Sequence, residues 1–171
     1  SDHHANPTRR YQALRDFENE LGGKEAQATK ALVLDVRNNG GGNIHQQLID
    51  ILSRRHYADN WTQKGEPTKS PNLFWERPVV LLVNTRSYSD AEVFPHAFQA
   101  LGLGTVVGDP TPGAVIGTND VTLSDGTQLR LTTFGFKDLK GKNHEGNGCV
   151  PDVVVELTPQ DRIEGRIGRR S

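Results

Sequence analysis

Two short apolar runs, each followed by a polar turn and then a helical pattern, constrain this chain more than any other feature. Ala31-Leu-Val-Leu-Asp-Val36 lies between breakers and reads as a fully buried strand of a parallel sheet. Arg37-Asn-Asn-Gly-Gly-Gly-Asn43 follows, then a helix carrying Ile44, Leu48, Ile49, Ile51 and Leu52 on its buried side. The unit recurs in kind. Val79 to Val83 is a second buried strand, Asn84 to Ser89 a turn, and Asp90 to Leu101 a helix distorted at Pro95. Gly102 and Gly104 close that helix, and Thr105-Val-Val-Gly108 makes a third strand. Parallel neighbours need a crossover, usually a helix, so the alternation argues an α/β core.

The flanks add to this core. Thr8 is placed to cap an N-terminal helix whose stripe is Tyr11, Leu14, Phe17 and Leu21, stopped by Gly22-Gly23. Lys24 to Lys30 is a polar stretch, and Arg54 to Arg77, with its prolines and two tryptophans, reads as an irregular surface excursion. Val121 to Leu131 signals a β-hairpin with Asp125-Gly126 at its tip. Val153 to Val155 make a last strand, and Thr158-Pro159 opens a short C-terminal helix. The expected fold is a single α/β domain with a mixed sheet and a hairpin in its C-terminal part.

Composition narrows the classes. The 171 residues suffice for one domain with a real core. Lys and Arg number 20 against 21 Asp and Glu, so nothing in the bulk charge points to nucleic acid or an anionic membrane. No run approaches the roughly 18 apolar residues of a spanning helix, and no membrane insertion is expected. Cys149 is the single cysteine, which excludes an intrachain disulfide and a cysteine-cluster metal site. The absence of methionine leads us to expect a processed product or a piece of something longer. Ile163-Glu-Gly-Arg166 resembles a protease-cleavage linker, so the tail is either native or appended.

Chemistry has three places to reside. In the first, Asn39-Gly40-Gly41-Gly42 between strand and helix lets backbone amides face a ligand or oxyanion; a tight turn without a ligand fits the same residues. Asn43-Ile44 stands where a phosphate loop needs Gly-Lys-Ser/Thr, and the dinucleotide spacing fails too. Second, Arg86-Ser-Tyr-Ser-Asp-Ala-Glu92 puts Ser87 and Ser89 where a strand gives way to a helix. A hydroxyl there sits at the carboxyl edge of the sheet with the Asp90 amide nearby, yet a plain N-cap at Ser89 explains it as well. Third, His144-Glu145-Gly-Asn-Gly-Cys-Val-Pro-Asp152 is either a loop or the source of a triad carboxylate. Metal ligation has little support, because His3-His4 are adjacent and no His-x-x-x-His occurs. A serine nucleophile needs a base. His96 lies about 10 Å along the helix from Ser89, and neither His45 nor His56 is a convincing alternative.

Taken together, these segments resemble the C-terminal catalytic subdomain of peptidase family S41, the tail-specific or C-terminal processing proteases, and within it the tricorn branch. Ala31 to Gly42 is similar to the family's strand and Asp-x-Arg-x-Asn-Gly-Gly-Gly turn, and Val79 to Glu92 to its nucleophile strand and serine. Phe94 to Gly104 with Val107 to Ala114 resembles the following helix and loop, and Glu145-Gly-Asn-Gly-Cys-Val-Pro-Asp152 the family's glutamate element. The resemblance spans roughly residues 10 to 165 and implies a ClpP/crotonase-like α/β core.

The resemblance also implies roles. The processing branch uses a Ser–Lys dyad, but Ala114 stands where its lysine would be; the tricorn branch uses serine, histidine and glutamate. Ser89 is then the nucleophile and Glu145 completes the charge relay. Asp90 and a glycine of the turn (Gly42 preferred, Gly41 next) supply the oxyanion-hole amides. Gly113 and, for basic side chains, Asp59 are the implied substrate contacts. No cofactor or metal is implied. The family's histidine lies in an N-terminal part of the module ahead of a PDZ-like domain. The expected protein is therefore a serine peptidase of peptides or unfolded polypeptides whose base comes from its N-terminal half. It is expected to form a homo-oligomer in the cytoplasm or cell envelope, and the isolated fragment is expected to be inactive. The competing reading is an inactive scaffold or a binding module on the same fold.

Overall fold

A computed structural model describes residues 7–155. Its centre is a four-stranded sheet in the order β1-β4-β5-β8, formed by β1 (Leu32–Asp35), β4 (Val79–Val83), β5 (Thr105–Gly108) and β8 (Val153–Val154). Every pairing within it is parallel. The antiparallel component lies apart, in hairpins β2 (Ala58–Thr62) with β3 (Gly65–Ser70) and β6 (Gly117–Thr122) with β7 (Gln128–Phe134).

Helices α1 (Pro7–Gly22), α3 (His45–Leu52) and α4 (Asp90–Ala100) contribute to one core with the sheet, while α2 (Lys24–Ala28) has no fully buried residue and touches the core only through Ala26. Leu14 and Leu21 of α1, Ile49 and Leu52 of α3, and Phe94 and Phe98 of α4 meet Val79, Leu81, Val83 and Val106 there. Each such side chain contributes about 1.5–3 kcal/mol of transfer free energy. Pro95 sits inside α4 and is buried with the core face.

Several expectations change. The helix is already formed at Pro7, so Thr8 lies inside it, and Tyr11 stands 65% exposed outside the stripe that Leu14, Phe17 and Leu21 form. Residues 31–36 are not a fully buried strand: β1 is an edge, and Val33 on the sheet's other face is 61% exposed. Lys24–Ala28 forms a helical turn where a polar stretch was expected. The supposed irregular excursion holds the β2–β3 hairpin. Its residues are almost all exposed, so no apolar alternation betrays it in the sequence. The hairpin at Asp125-Gly126 and the strand at Val153 stand where they were expected. The proposed C-terminal helix, the Ile163–Arg166 segment and His3-His4 lie outside the described residues.

Candidate active site

The turns after β1 and β4 lie side by side, because those strands are adjacent and parallel and both end at the same edge of the sheet. They are cross-tied. The Asn38 amide donates to Asn84 Oδ1 (3.0 Å), Asn84 Nδ2 donates to Asn38 Oδ1 (3.1 Å), and the Tyr88 amide donates to the Asn39 carbonyl (2.9 Å). Ser87 is fully buried and its Oγ donates to the Val36 carbonyl at 2.9 Å, which makes it part of this scaffold. Ser89 is exposed. Of the two serines, only Ser89 is open to solvent.

Ser89 adopts φ 56° and ψ −119° at the first position before α4. An ordinary N-cap serine lies in the β region. The positive φ is sparsely populated for any residue with a Cβ and costs about 1–3 kcal/mol. Gly41 makes the neighbouring approach. At its φ of +102°, a Cβ would stand 2.7 Å from Ser89 Cβ, 2.8 Å from the Tyr88 carbonyl oxygen and 3.2 Å from the Asp90 nitrogen. A glycine is required there because one backbone lies directly on another. The Gly41 amide is committed to Asn39 Oδ1 at 2.8 Å, whereas the amides of Gly42 and Asp90 have no hydrogen-bond partner among the described residues.

Asp90 serves with its side chain as well. Oδ2 accepts the Ile44 and His45 amides (2.8 and 3.1 Å), and Oδ1 pairs with His45 Nδ1. It thus satisfies two of the free amides at the start of α3 and ties α3 to α4. His56 is bonded to Asp59, and His96 faces His144 with ring centroids 4.0 Å apart. No described imidazole is hydrogen-bonded to Ser89.

Sequence reasoning passed over Glu92. It is 1% exposed, and its carboxylate accepts four hydrogen bonds: from Thr111 Oγ1 and the Gly113 amide (both 2.6 Å), the Ala114 amide (2.8 Å) and the Ser89 amide (3.2 Å). The spacing Ser89-x-x-Glu92 is a capping-box signature, which is the signal that could have found it. Glu92 joins the Ser89 turn to the loop 109–116. The Ser89 amide also approaches the Ala114 carbonyl at 3.1 Å, so position 114 abuts the serine.

Glu145 holds the next stretch of that loop. Its Oε2 accepts the Val115 and Ile116 amides, both at 2.9 Å. Gly113 is buried, with its amide on Glu92 and its carbonyl accepting the Gly146 amide at 2.7 Å, so both backbone groups serve the scaffold. Asp59 lies on β2, paired with His56 at 2.9 Å, and does not line the cleft beside Gly41. Burial pushes the Cys149 thiol up to about 12, with the Asp152 and Glu92 charges adding to it, so this cysteine is no nucleophile near neutral pH. Hydrogen bonding to Arg37 holds the Asp35 carboxyl below its usual range where β1 enters its turn.

The chain as a whole has counterparts among known proteins. Residues 6–155 match the model of peptidase family S41. The chain belongs to this family. Tricorn protease homolog 1 of Streptomyces coelicolor is 38% identical over 141 residues, which is 81% of this chain and 13% of that protein. The tricorn protease of Thermoplasma acidophilum is 33% identical over 80% of the chain and 13% of its own length. A crystal structure of the tricorn protease superimposes with a TM-score of 0.71 at 30% identity, over 82% of this chain and 14% of that one. The photosystem II D1 C-terminal processing protease gives 0.62 at 26% identity, over 91% and 40%. The chain therefore spans a small part of the curated S41 relatives it matches.

Proposed function

We propose that this chain carries the nucleophile half of a tricorn-like serine peptidase site that hydrolyses peptides or unfolded polypeptides through an acyl-enzyme. The observation that carries the reading is the backbone of Ser89, held at positive φ against a glycine with no Cβ to keep it away. A plain helix cap has no use for that strain. In this reading Ser89 Oγ attacks the scissile carbonyl and its proton passes to a histidine from the N-terminal part of the module. The Asp90 amide and the Gly42 amide receive the developing oxyanion, as donors without other partners are suited to do. Gly41 comes second, since its amide is engaged by Asn39. Glu145 supports the imidazolium, and the same histidine protonates the leaving amine before water clears the acyl group.

Ala114 beside Ser89 favours the histidine mechanism over a Ser–Lys dyad, because that position offers no amine. Substrate contacts by Asp59 and Gly113 are not part of the proposal, given the His56 pairing of the one and the burial of the other. Assembly into a homo-oligomer and a cytoplasmic setting are carried over from tricorn-type proteins as part of the same reading. The test is hydrolysis of a fluorogenic peptide by a protein that includes the N-terminal part of the module. Ser89→Ala is expected to lower kcat by about 10³-fold or more, with KM little changed. Wild-type turnover retained in that variant would remove Ser89 from the reaction.

A further inference from the structure

Three glycines in a row leave residues 40–42 free to adopt many backbone conformations, so the direction of the Gly42 N–H has to be set from outside the run. Two anchors flank it. On one side Asn39 Oδ1 accepts the Gly41 amide at 2.8 Å; on the other Asp90 Oδ2 accepts the Ile44 and His45 amides at 2.8 and 3.1 Å. The second anchor comes from another element because Ile44, at the N-cap of α3, has no side-chain acceptor of its own. His45 Nδ1 holds the other oxygen of Asp90, which fixes the carboxylate at both ends. The Asp90 side chain is 11% exposed, and a Cβ on Gly42 would stand 3.9 Å from its Oδ2. Asp90 is also the first residue of α4, directly after Ser89. Its backbone offers one of the two unpartnered amides beside the serine, and its side chain ties down the segment that offers the other.

We propose that the Asp90 side chain is a positioning group for the oxyanion hole: it holds the Gly42 amide in register with the Asp90 amide, with His45 as its brace. The proposal rests on the reading of Ser89 as nucleophile and of these two amides as the oxyanion donors. Such donors act through preorganisation. They must already stand where charge develops, and a displacement of about 1 Å can cost on the order of 10²-fold in rate. An interaction made with the tetrahedral oxyanion, and not with the bound peptide, raises kcat and leaves KM alone. The clamp therefore acts on kcat.

The test uses a protein that includes the N-terminal part of the module, a fluorogenic peptide chosen from a panel for turnover by the wild type, and the peptide aldehyde of the same sequence. Ser89 Oγ adds to the aldehyde carbon, the serine proton passes to the base, and the former carbonyl oxygen occupies the hole. Asp90→Ala is expected to lower kcat by about tenfold or more with KM little changed, and to weaken the aldehyde by the same factor. Asp90→Asn keeps an oxygen for the Ile44 and His45 amides and is expected to retain most of the rate. His45→Ala removes the brace alone and is expected to fall between the two. Thermal midpoints show which variants fold. Where Asp90→Ala does not, His45→Ala carries the decision: a fall in kcat with a parallel loss of aldehyde affinity supports the clamp, and wild-type values overturn it. Wild-type kcat and aldehyde affinity in folded Asp90→Ala, a raised KM in place of a lowered kcat, or Asp90→Asn as slow as Asp90→Ala overturns the clamp alone. A wild type that hydrolyses no peptide of the panel overturns the peptidase reading and the clamp with it.

Discussion

The backbone angle at Ser89 departs from that of an ordinary helix cap, and the proposed role as nucleophile rests on that departure. The sequence allows both, since a serine ahead of Asp90-Ala-Glu92 caps a helix whether or not it does chemistry. What the one-dimensional pattern lacks is the contact with Gly41, 48 positions away, that holds φ at 56°. Gly41→Ala is expected to destabilise the fold by about 1–3 kcal/mol, read as a lowered denaturation midpoint, and to depress kcat more than KM. Gly40→Ala, with nothing within 4 Å of the added carbon, serves as the control expected to leave the midpoint little changed. Glu92 is the residue-scale feature that sequence reasoning did not reach. Its neighbours in the chain are helical, but three of its four donors come from residues 111–114, a juxtaposition that exists only after folding. Replacing it by Ala leaves Thr111 Oγ1 and the Gly113 and Ala114 amides without this acceptor, while the Ser89 amide keeps the Ala114 carbonyl. We expect a loss of about 3 kcal/mol or more, measured by urea denaturation, with Glu92→Gln losing less.

Elements were legible where apolar residues mark them. β4, β5 and α4 stand close to their expected bounds because each buries a continuous apolar set. The β2–β3 hairpin left no such trace. The loop that carries Glu145 is docked on α4 through aromatic rings: His144 lies 4.0 Å from His96 and 5.3 Å from Phe136, centroid to centroid. Burial and the neighbouring His144 lower the His96 pKa below its ordinary value; Asp138 works against that shift and Lys142 with it. The folded state therefore binds a proton less readily than the unfolded chain does. The stability this contact contributes is intact above about pH 6.5 and is lost as pH falls through the depressed folded value. The thermal midpoint is expected to fall on acidification below about pH 6.5, and His96→Phe is expected to flatten that decline. An unchanged slope in the variant would place the acid sensitivity elsewhere.

At the scale of the molecule, the described residues cover one face of the sheet more fully than the other. Parallel sheets of α/β proteins carry layers on both faces, yet Val33 is 61% exposed, and Val80, Leu82 and Val107 on the same face are only half-buried. This agrees with a chain that spans 13% of the length of its tricorn relatives. The family, the fold class and the elements that frame the site were readable from four ordered segments. The partly open outer face was not, because a strand buried on both sides and one left partly exposed on one side can have the same apolar sequence. With no imidazole bonded to Ser89 among the described residues, the 171-residue chain alone is expected to hydrolyse peptides little or not at all; robust turnover would make His45, His56 or His96 the base. The most direct test of the central claim is to treat a protein that includes the N-terminal part of the module with a fluorophosphonate and map the adduct by mass spectrometry. The prediction is a single adduct on Ser89, with buried Ser87 unmodified and labelling lost in Ser89→Ala. An adduct on another serine, or labelling that persists in that variant, would contradict it.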